Sequence, residues 1–134
     1  VIPYEYAENR GGKLDRVLSD WPLEARERRA LAVMLTMLFG LDIRQATGSV
    51  VFRFKADPPD IYYAKATGNV QLRPRLCRGP ERPNDEVTFL VRAIEKGDKV
   101  IPPDAGRSAA RLREEITESP SLRIRYRPKK EETS

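Results

Sequence analysis

Between Ile61 and Pro80 the chain carries Lys65, Arg73, Arg75 and Arg78 but no aspartate or glutamate. The stretch from Asn69 to Pro80, NVQLRPRLCRGP, reads as a strand with two sides, because side chains alternate along a strand. Leu72, Pro74 and Leu76 fall on one side and Gln71, Arg73 and Arg75 on the other. The pattern predicts an exposed sheet face that holds several cations with no acid beside them in the sequence. Such a face suits a polyanion, and phosphate is the commonest one in a cell. The chain has no histidine and a single cysteine, Cys77. Histidine acid–base chemistry, histidine-ligated metal and an internal disulfide are therefore excluded, and any catalysis must run on Lys, Arg, Tyr, Asp or Glu. With no histidine to activate it, Cys77 is expected to be a small packed residue.

A chain of 134 residues, 40% hydrophobic and 34% charged, has the make-up of one folded domain of ordinary size. Its formal net charge of +5 supports an anionic partner. The longest uncharged run, Ala30 to Leu41, is too short to span a bilayer. The single cysteine fits a reducing cytoplasm, no secretory signal pattern is visible, and no membrane partner is expected. Because the sequence opens on Val1, a few residues are expected to precede it.

The elements that must position the cations read as follows. Ile2 to Glu8 alternates as a strand, expected near a sheet edge because of Pro3. Lys13 to Ser19 places Leu14, Val17 and Leu18 at helical spacing. A second helix is expected from Asp20–Pro22 to Phe39, capped by Asp20, ended by a left-handed Gly40 and deeply buried at its apolar end. Strands are expected over Val50–Lys55, Ile61–Ala66, Val70–Cys77 and Val87–Ile94, the last central because it is apolar on both faces apart from Arg92. Turn chemistry at Asp57–Asp60 and Thr67–Asn69 makes these antiparallel neighbours. A final helix runs from Asp104 to Ser119 with Ala105, Ala109, Leu112 and Ile116 on one stripe. Residues 120–134 form a basic tail, expected to be solvated, in which Leu122, Ile124 and Tyr126 alternate with arginines as a short strand would. The fold class is α+β: two N-terminal helices packed on a twisted antiparallel sheet of four to five strands, with a C-terminal helix. Leu31, Leu35, Leu38, Phe52, Phe54, Leu72, Leu76, Phe89 and Val91 are the expected core. Residues 1–119 make the single domain.

Residues 70–116 resemble the phage-derived, HigB-like branch of the RelE/ParE toxin superfamily. The resemblance is carried by LRPRLCRGP (Leu72 to Pro80), EVTFLVRAIEKGDKVIPPDA (Glu86 to Ala105) and the helix AARLREEI (Ala109 to Ile116). It implies the toxin of a type II toxin–antitoxin pair, a metal-independent, ribosome-dependent mRNA endonuclease that inhibits translation. The implied partners are a cognate helix-turn-helix antitoxin and mRNA on the ribosome, with no cofactor and no metal. Lys65, Arg73, Arg75, Arg78, Lys96 and Lys99 become the implied basic set, with Arg92 a weaker member. Several nucleolytic relatives use a histidine or a late tyrosine in proton transfer. This chain lacks the histidine, and Tyr126 lies beyond the recognisable motif.

Metal-free RNA cleavage needs a base for the 2′-hydroxyl, an acid for the departing oxygen and cations for the phosphorane. Lys65, Arg73, Arg75, Glu95 and Lys96 are the catalytic candidates. Arg73 and Arg75 suit the phosphoryl oxygens, because a guanidinium binds them in a two-pronged way. Lys65 serves as base or acid if neighbouring cations lower its pKa, and Glu95 is the alternative base. Tyr63, on the strand face of Lys65, is placed to stack on a base, and with Arg78, Arg92 and Lys99 completes the nucleic-acid-binding set. The alternative is a non-catalytic member of the same fold, either a gyrase inhibitor or a phage accessory protein that binds nucleic acid or protein.

Overall fold

The computed structural model describes residues 1–48, 52–55 (backbone only) and 58–127. The chain opens with a hairpin in which β1 (Ile2–Arg10) turns into β2 (Lys13–Arg16). Gly11 and Gly12 make the turn with φ of 59° and 84°, a region glycine enters without steric cost and two-residue hairpins require. This strand replaces the helix expected over Lys13–Ser19. Leu14, Val17 and Leu18 satisfy helical spacing, but the glycine pair sets Lys13–Arg16 in register against Ala7–Arg10. The turn after β2 is held by the buried Glu5 carboxylate, which accepts the Leu18 and Ser19 backbone N–H groups at 2.9 and 2.8 Å and the Ser19 hydroxyl.

Helix α1 (Ala25–Phe39) starts later than its sequence pattern predicts. Asp20 does not cap it, because its carboxylate accepts the Arg16 backbone N–H and guanidinium at 2.9 and 3.0 Å. Gly40 ends the helix in the right-handed region (φ −86°), not the left-handed one. Leu31, Met34, Leu35 and Leu38 are buried, but the apolar end is not covered all round: Val33 is 62% and Met37 48% exposed. A short α2 (Ile43–Gly48) follows and buries Ile43 and Ala46. Two helices do precede the main strands, but they are α1 and α2.

The remaining elements are β3 (Phe52–Lys55), β4 (Ile61–Ala64), β5 (Ala66–Thr67), β6 (Gln71–Leu72), β7 (Arg75–Arg78), β8 (Glu86–Val91), β9 (Ile94–Lys96), β10 (Lys99–Ile101), α3 (Ala105–Glu118), a 3-10 turn at Pro120–Leu122 and β11 (Arg123–Arg125). The main sheet runs β11-β1-β8-β7-β4-β3, with β2 attached to β1, and a smaller sheet runs β10-β9-β6-β5. The molecule is thus α+β, with wider sheets than expected. The main sheet is also mixed, because β1 pairs with β8 in parallel. Strand β8 is central as its apolar run predicts. Strand β1 is not at an edge, since it lies between β11 and β8. Pro3 lacks an N–H to donate, but its carbonyl still accepts from Tyr126 at 3.0 Å.

Three neighbouring strands break at one level. Val70–Cys77 divides into β6 and β7 at Arg73–Pro74, Ile61–Ala66 divides at Lys65, and Val87–Ile94 divides at Arg92–Ala93. Pro74 cannot donate to a ladder, so one strand cannot run straight through it. The crease is stitched by Arg73 N–H to the Ala93 carbonyl (2.8 Å) and Ala64 N–H to the Pro74 carbonyl (3.1 Å). Beside it, Arg75 opposes Val91 and Leu76 opposes Phe89, leaving Leu90 as the extra residue of a bulge.

Tyr62, Leu76 and Phe89 join α1 and α2 in the larger core, whereas Ile61, Cys77 and Leu90 meet Ala109 and Ile116 of α3. The alternation of strand residues therefore puts α1 and α3 on opposite faces of the main sheet. Of the expected core, Leu31, Leu35, Leu38, Leu72, Leu76 and Phe89 are buried, and Val91 is only half-buried. The side chains of Phe52 and Phe54 lie outside the described residues.

The first residues after α3 belong to the fold. Arg123 is buried over the Tyr4 ring, 3.7 Å from its centroid, and pairs at 3.1 Å with both Glu86 and Glu81. Removing one partner of a buried pair leaves the other charged and unpaired. Arg123→Ala is therefore expected to lose about 3–5 kcal/mol of stability in urea unfolding. Arg127→Ala, at an exposed position, should change it by less than about 0.5 kcal/mol.

Helix α1 is tied to the β5–β6 turn by Glu27, which accepts the Val70 and Asn69 N–H groups at 3.0 and 2.9 Å. Gly68 fits beneath because a Cβ there would stand 3.1 Å from the Glu27 carboxylate. The backbone donors, Val70 foremost, hold the Glu27 pKa below its ordinary 4.5. A depressed folded-state value stabilises the fold above 4.5, and that contribution is lost as the pH falls through the folded-state value. Glu27→Gln should thus be less stable than wild type at pH 7, with the gap narrowing as the pH drops below 4.5 in a series of thermal melts.

Candidate nucleic-acid interface

The crease gathers some of the predicted site residues and separates the rest. Arg73 and Arg75 are 7% and 6% exposed, so the open cationic face expected from their alternation is not formed. Alternation assigns a side of a strand, but it does not say what covers that side. Here the strand breaks between the two arginines, and each folds back onto the protein.

Arg73 donates to the Glu95 carboxylate at 3.1 Å, to the Leu72 carbonyl at 2.7 Å and to the Gln71 side chain at 2.8 Å. Glu95 stands opposite Gln71 across the β6–β9 ladder, which is why a residue 22 positions away reaches Arg73. Arg75 donates to the Arg73 carbonyl at 2.7 Å and lies over the Tyr63 ring, 5.1 Å from its centroid. Register explains that contact, since Tyr63 is directly opposite Arg75. Burial pushes the Arg75 pKa down, while Tyr63 and Glu95 act in the other direction. A guanidinium in this setting stays charged, because its ordinary pKa is so high.

Tyr63, Arg73, Arg75 and Glu95 therefore form one cluster, with Lys96 next to Glu95 on β9. Lys96 faces Lys99 directly across the β9–β10 hairpin, whose turn uses Gly97 at φ 62°. Both lysines are exposed, and neither has an ion pair among the described residues.

The other three candidates lie elsewhere. Lys65 lines a shallow groove with Ala30, Val33 and Met37 of α1, so the strand face it was expected to share with Tyr63 is lost at the crease. Arg92 turns toward the N-terminal hairpin, where it donates to the Val17 and Arg16 carbonyls at 2.8 and 2.9 Å and pairs with Asp15 at 2.9 Å. Arg78, at the far end of β7, donates to the Pro83 carbonyl and to Asn84, both at 2.8 Å. Cys77 is fully buried as expected, and burial pushes its pKa up to about 12. Sequence reasoning missed the buried Arg123 network, although the Arg–Ile–Arg alternation was its signal.

Among the described residues no group of three or more Cys, Asp and Glu side chains is placed to hold a metal ion, and no helix is long and apolar enough to cross a membrane. No family model, curated protein or solved structure matches this chain.

The burial of Arg73 changes what its removal should do. A surface arginine contributes little to stability, but Arg73→Ala leaves the Leu72 carbonyl and the Glu95 carboxylate without their partner. The expected loss is about 1–3 kcal/mol, read from the urea midpoint. An unchanged midpoint would show that these bonds are not made in solution.

Proposed function

We propose that this protein binds an anionic strand, in the first instance single-stranded RNA, through the β9–β10 hairpin, as a non-catalytic member of the fold of the RelE/ParE-like toxins that its sequence resembles. The observation that carries this reading is the Lys96–Lys99 pair. Like charges directly opposite each other on neighbouring strands destabilise a sheet, and among the described residues neither lysine has an ion pair, although Glu95 and Asp98 adjoin them in the chain. A phosphate between them would offset the repulsion. Lysines on edge strands also guard against pairing with other chains, and β10 is an edge. Lys96, however, is on the inner strand β9, where that guard has no use. Tyr63 and the Arg75 beneath it extend the surface toward the crease and offer a ring for a base. The cognate helix-turn-helix antitoxin that the resemblance implies goes with the toxin reading below.

A second reading, the ribosome-dependent mRNA endonuclease toxin, is favoured by the position of Glu95. Its carboxylate is 35% exposed, in contact with Arg73 and beside Lys96, so a base, a cation and a second proton-transfer group adjoin. Against it, three of Arg73's five N–H donors already serve internal acceptors, which leaves little of that guanidinium for a phosphorane.

Fluorescence anisotropy with a labelled single-stranded RNA tests the first reading. Changing both Lys96 and Lys99 to Gln should reduce the slope of log affinity against log salt by about 1.4, two single-strand phosphate contacts at about 0.7 each. An unchanged slope removes the hairpin from the interface. Primer extension on ribosome-bound mRNA decides between the readings. Cleavage by wild type that is lost in Glu95→Gln establishes the endonuclease, and no cleavage leaves the binder.

A further inference from the structure

A cleft of about 260 Å³ opens at the far end of β7 from the crease, between the C-terminal half of α3 and the Gly79–Pro83 loop. It shares no residue with the hairpin surface. Asp60, Arg78, Pro80, Pro83, Arg113 and Thr117 contribute to its walls. Two guanidiniums thus face one carboxylate, and the cleft is net cationic.

The two arginines are held differently. Arg78 is fixed by its Nε and one terminal nitrogen on the Pro83 carbonyl and Asn84, while its other terminal nitrogen has no partner among the described residues. It is a cation oriented in advance, with donors to spare. Arg113 is tied only to Asp60, at 3.8 Å, which is an ion pair but too long for a hydrogen bond. Both side chains of that pair are largely exposed, at 42% and 62%, so a ligand can take Arg113 over at little cost. Asp60 sits at φ 67° in the turn that the Ile61 N–H closes on the Pro58 carbonyl, a left-handed conformation that aspartate tolerates in turns.

The chemistry wanted is then specific. An anion with several oxygens satisfies the two guanidiniums, and a neighbouring hydroxyl donates to the Asp60 carboxylate that the anion displaces from Arg113. The proline walls suit the carbon face of a small ring. The volume lies just under the range of roughly 300–1,000 Å³ that takes drug-sized ligands, so one sugar unit is the right scale. We propose that this cleft binds a sugar phosphate such as ribose 5-phosphate, with the phosphate between Arg78 and Arg113 and a sugar hydroxyl on Asp60. The ligand is either the free compound or the 5′-phosphorylated end of an RNA strand.

NMR titration of the arginine Nε–Hε signals of the full chain is the test. Ribose 5-phosphate should shift the Arg78 and Arg113 signals and bind at least about tenfold more tightly than inorganic phosphate, the value of one hydrogen bond to a charged group. Arg113→Gln should weaken it by about tenfold or more. Asp60→Asn should reduce the preference for ribose 5-phosphate, because its amide oxygen accepts the hydroxyl more weakly than a carboxylate does, while phosphate still binds, a result that lost folding cannot produce. Two results overturn the proposal: no shift of either signal at millimolar ribose 5-phosphate, or equal affinity of the wild type for the two compounds. A 5′-phosphorylated tetraribonucleotide that shifts the same signals, when its 5′-hydroxyl form does not, supports the site with an RNA end as its source. If neither form shifts them while ribose 5-phosphate does, the site stands with the free compound as ligand. Either outcome is independent of the salt slope that tests the hairpin.

Discussion

Pro74 has no N–H, and much of the architecture around the candidate interface follows from that single missing donor. A strand that pairs on both sides needs its backbone donors, so the ladder cannot run unbroken through this position. The chain instead leaves one sheet at Leu72 and enters the other at Arg75, and the neighbouring strands break alongside at Lys65 and at Arg92–Ala93. Two bonds across the gap, Arg73 to Ala93 and Ala64 to Pro74, keep the backbone groups satisfied where regular pairing stops. The bulge at Leu90 belongs to the same adjustment, since it puts one extra residue into β8 beside the break. Four of the residues that look chemical in the sequence, Lys65, Arg73, Arg75 and Arg92, lie at or next to this crease. A crease exposes backbone carbonyls, and an arginine is well suited to cover them because it brings several donors on a planar fork. Arg73 and Arg75 donate to the Leu72 and Arg73 carbonyls of the crease itself, whereas Arg92 reaches the Val17 carbonyl beyond the first hairpin.

That use of arginine sets two kinds of cation apart, beside exposed but ion-paired ones such as Arg10 and Arg113. One is buried or half-buried and committed: Arg73 and Arg75 at the crease, Arg92 against the first hairpin, and Arg123 between Glu86 and the Tyr4 ring. The other is exposed and without an ion pair, as at Lys96 and Lys99. A formal charge of +5 counts both alike. Between the crease and the hairpin, only the exposed lysines are open to a polyanion without first breaking internal bonds. Lysine fits that role, because its compact ammonium keeps its hydration until a phosphate arrives, whereas the planar guanidinium tolerates burial.

What was legible in the sequence tracks how local the deciding interactions are. The periodicity of α1, the stripe of α3, the apolar run of β8 and the turn at Thr67–Asn69 rest on neighbours in the chain, and each of these elements is present, although α1 begins only at Ala25 and β8 stops at Val91. The pattern of Lys13–Ser19 misleads because three apolar residues at helical spacing also fit a strand and the turn after it. The telling residues were Gly11 and Gly12 just before them. The place of β1 inside the sheet was not legible, since its partners β8 and β11 lie about 80 and 120 residues away, and parallel pairing leaves no turn between strands to announce it. At the candidate site, the sequence supplied the residue types and the juxtaposition of Arg73 with Glu95 did not appear in it. The sequence offers Glu95 as the alternative base, but only the β6–β9 register makes it the partner of Arg73.

The same register bears on whether the crease can be catalytic. A group that stabilises a developing phosphorane must be ready before the reaction, with donors aimed at empty space that the transition state will fill. Arg73 is aimed at Glu95, Gln71 and the Leu72 carbonyl. Freeing it would strand a carbonyl inside the fold and leave a carboxylate close to the incoming phosphate, so both the protein and the substrate would resist the change. Arg75 is less committed, with one hydrogen bond and the face of Tyr63, yet burial limits what can reach it. Catalysis at this crease therefore requires that a bound strand first move Glu95 away from Arg73. Binding at the hairpin requires no rearrangement, because Lys96 and Lys99 already stand exposed and opposed, and their mutual repulsion is relieved rather than created when an anion arrives.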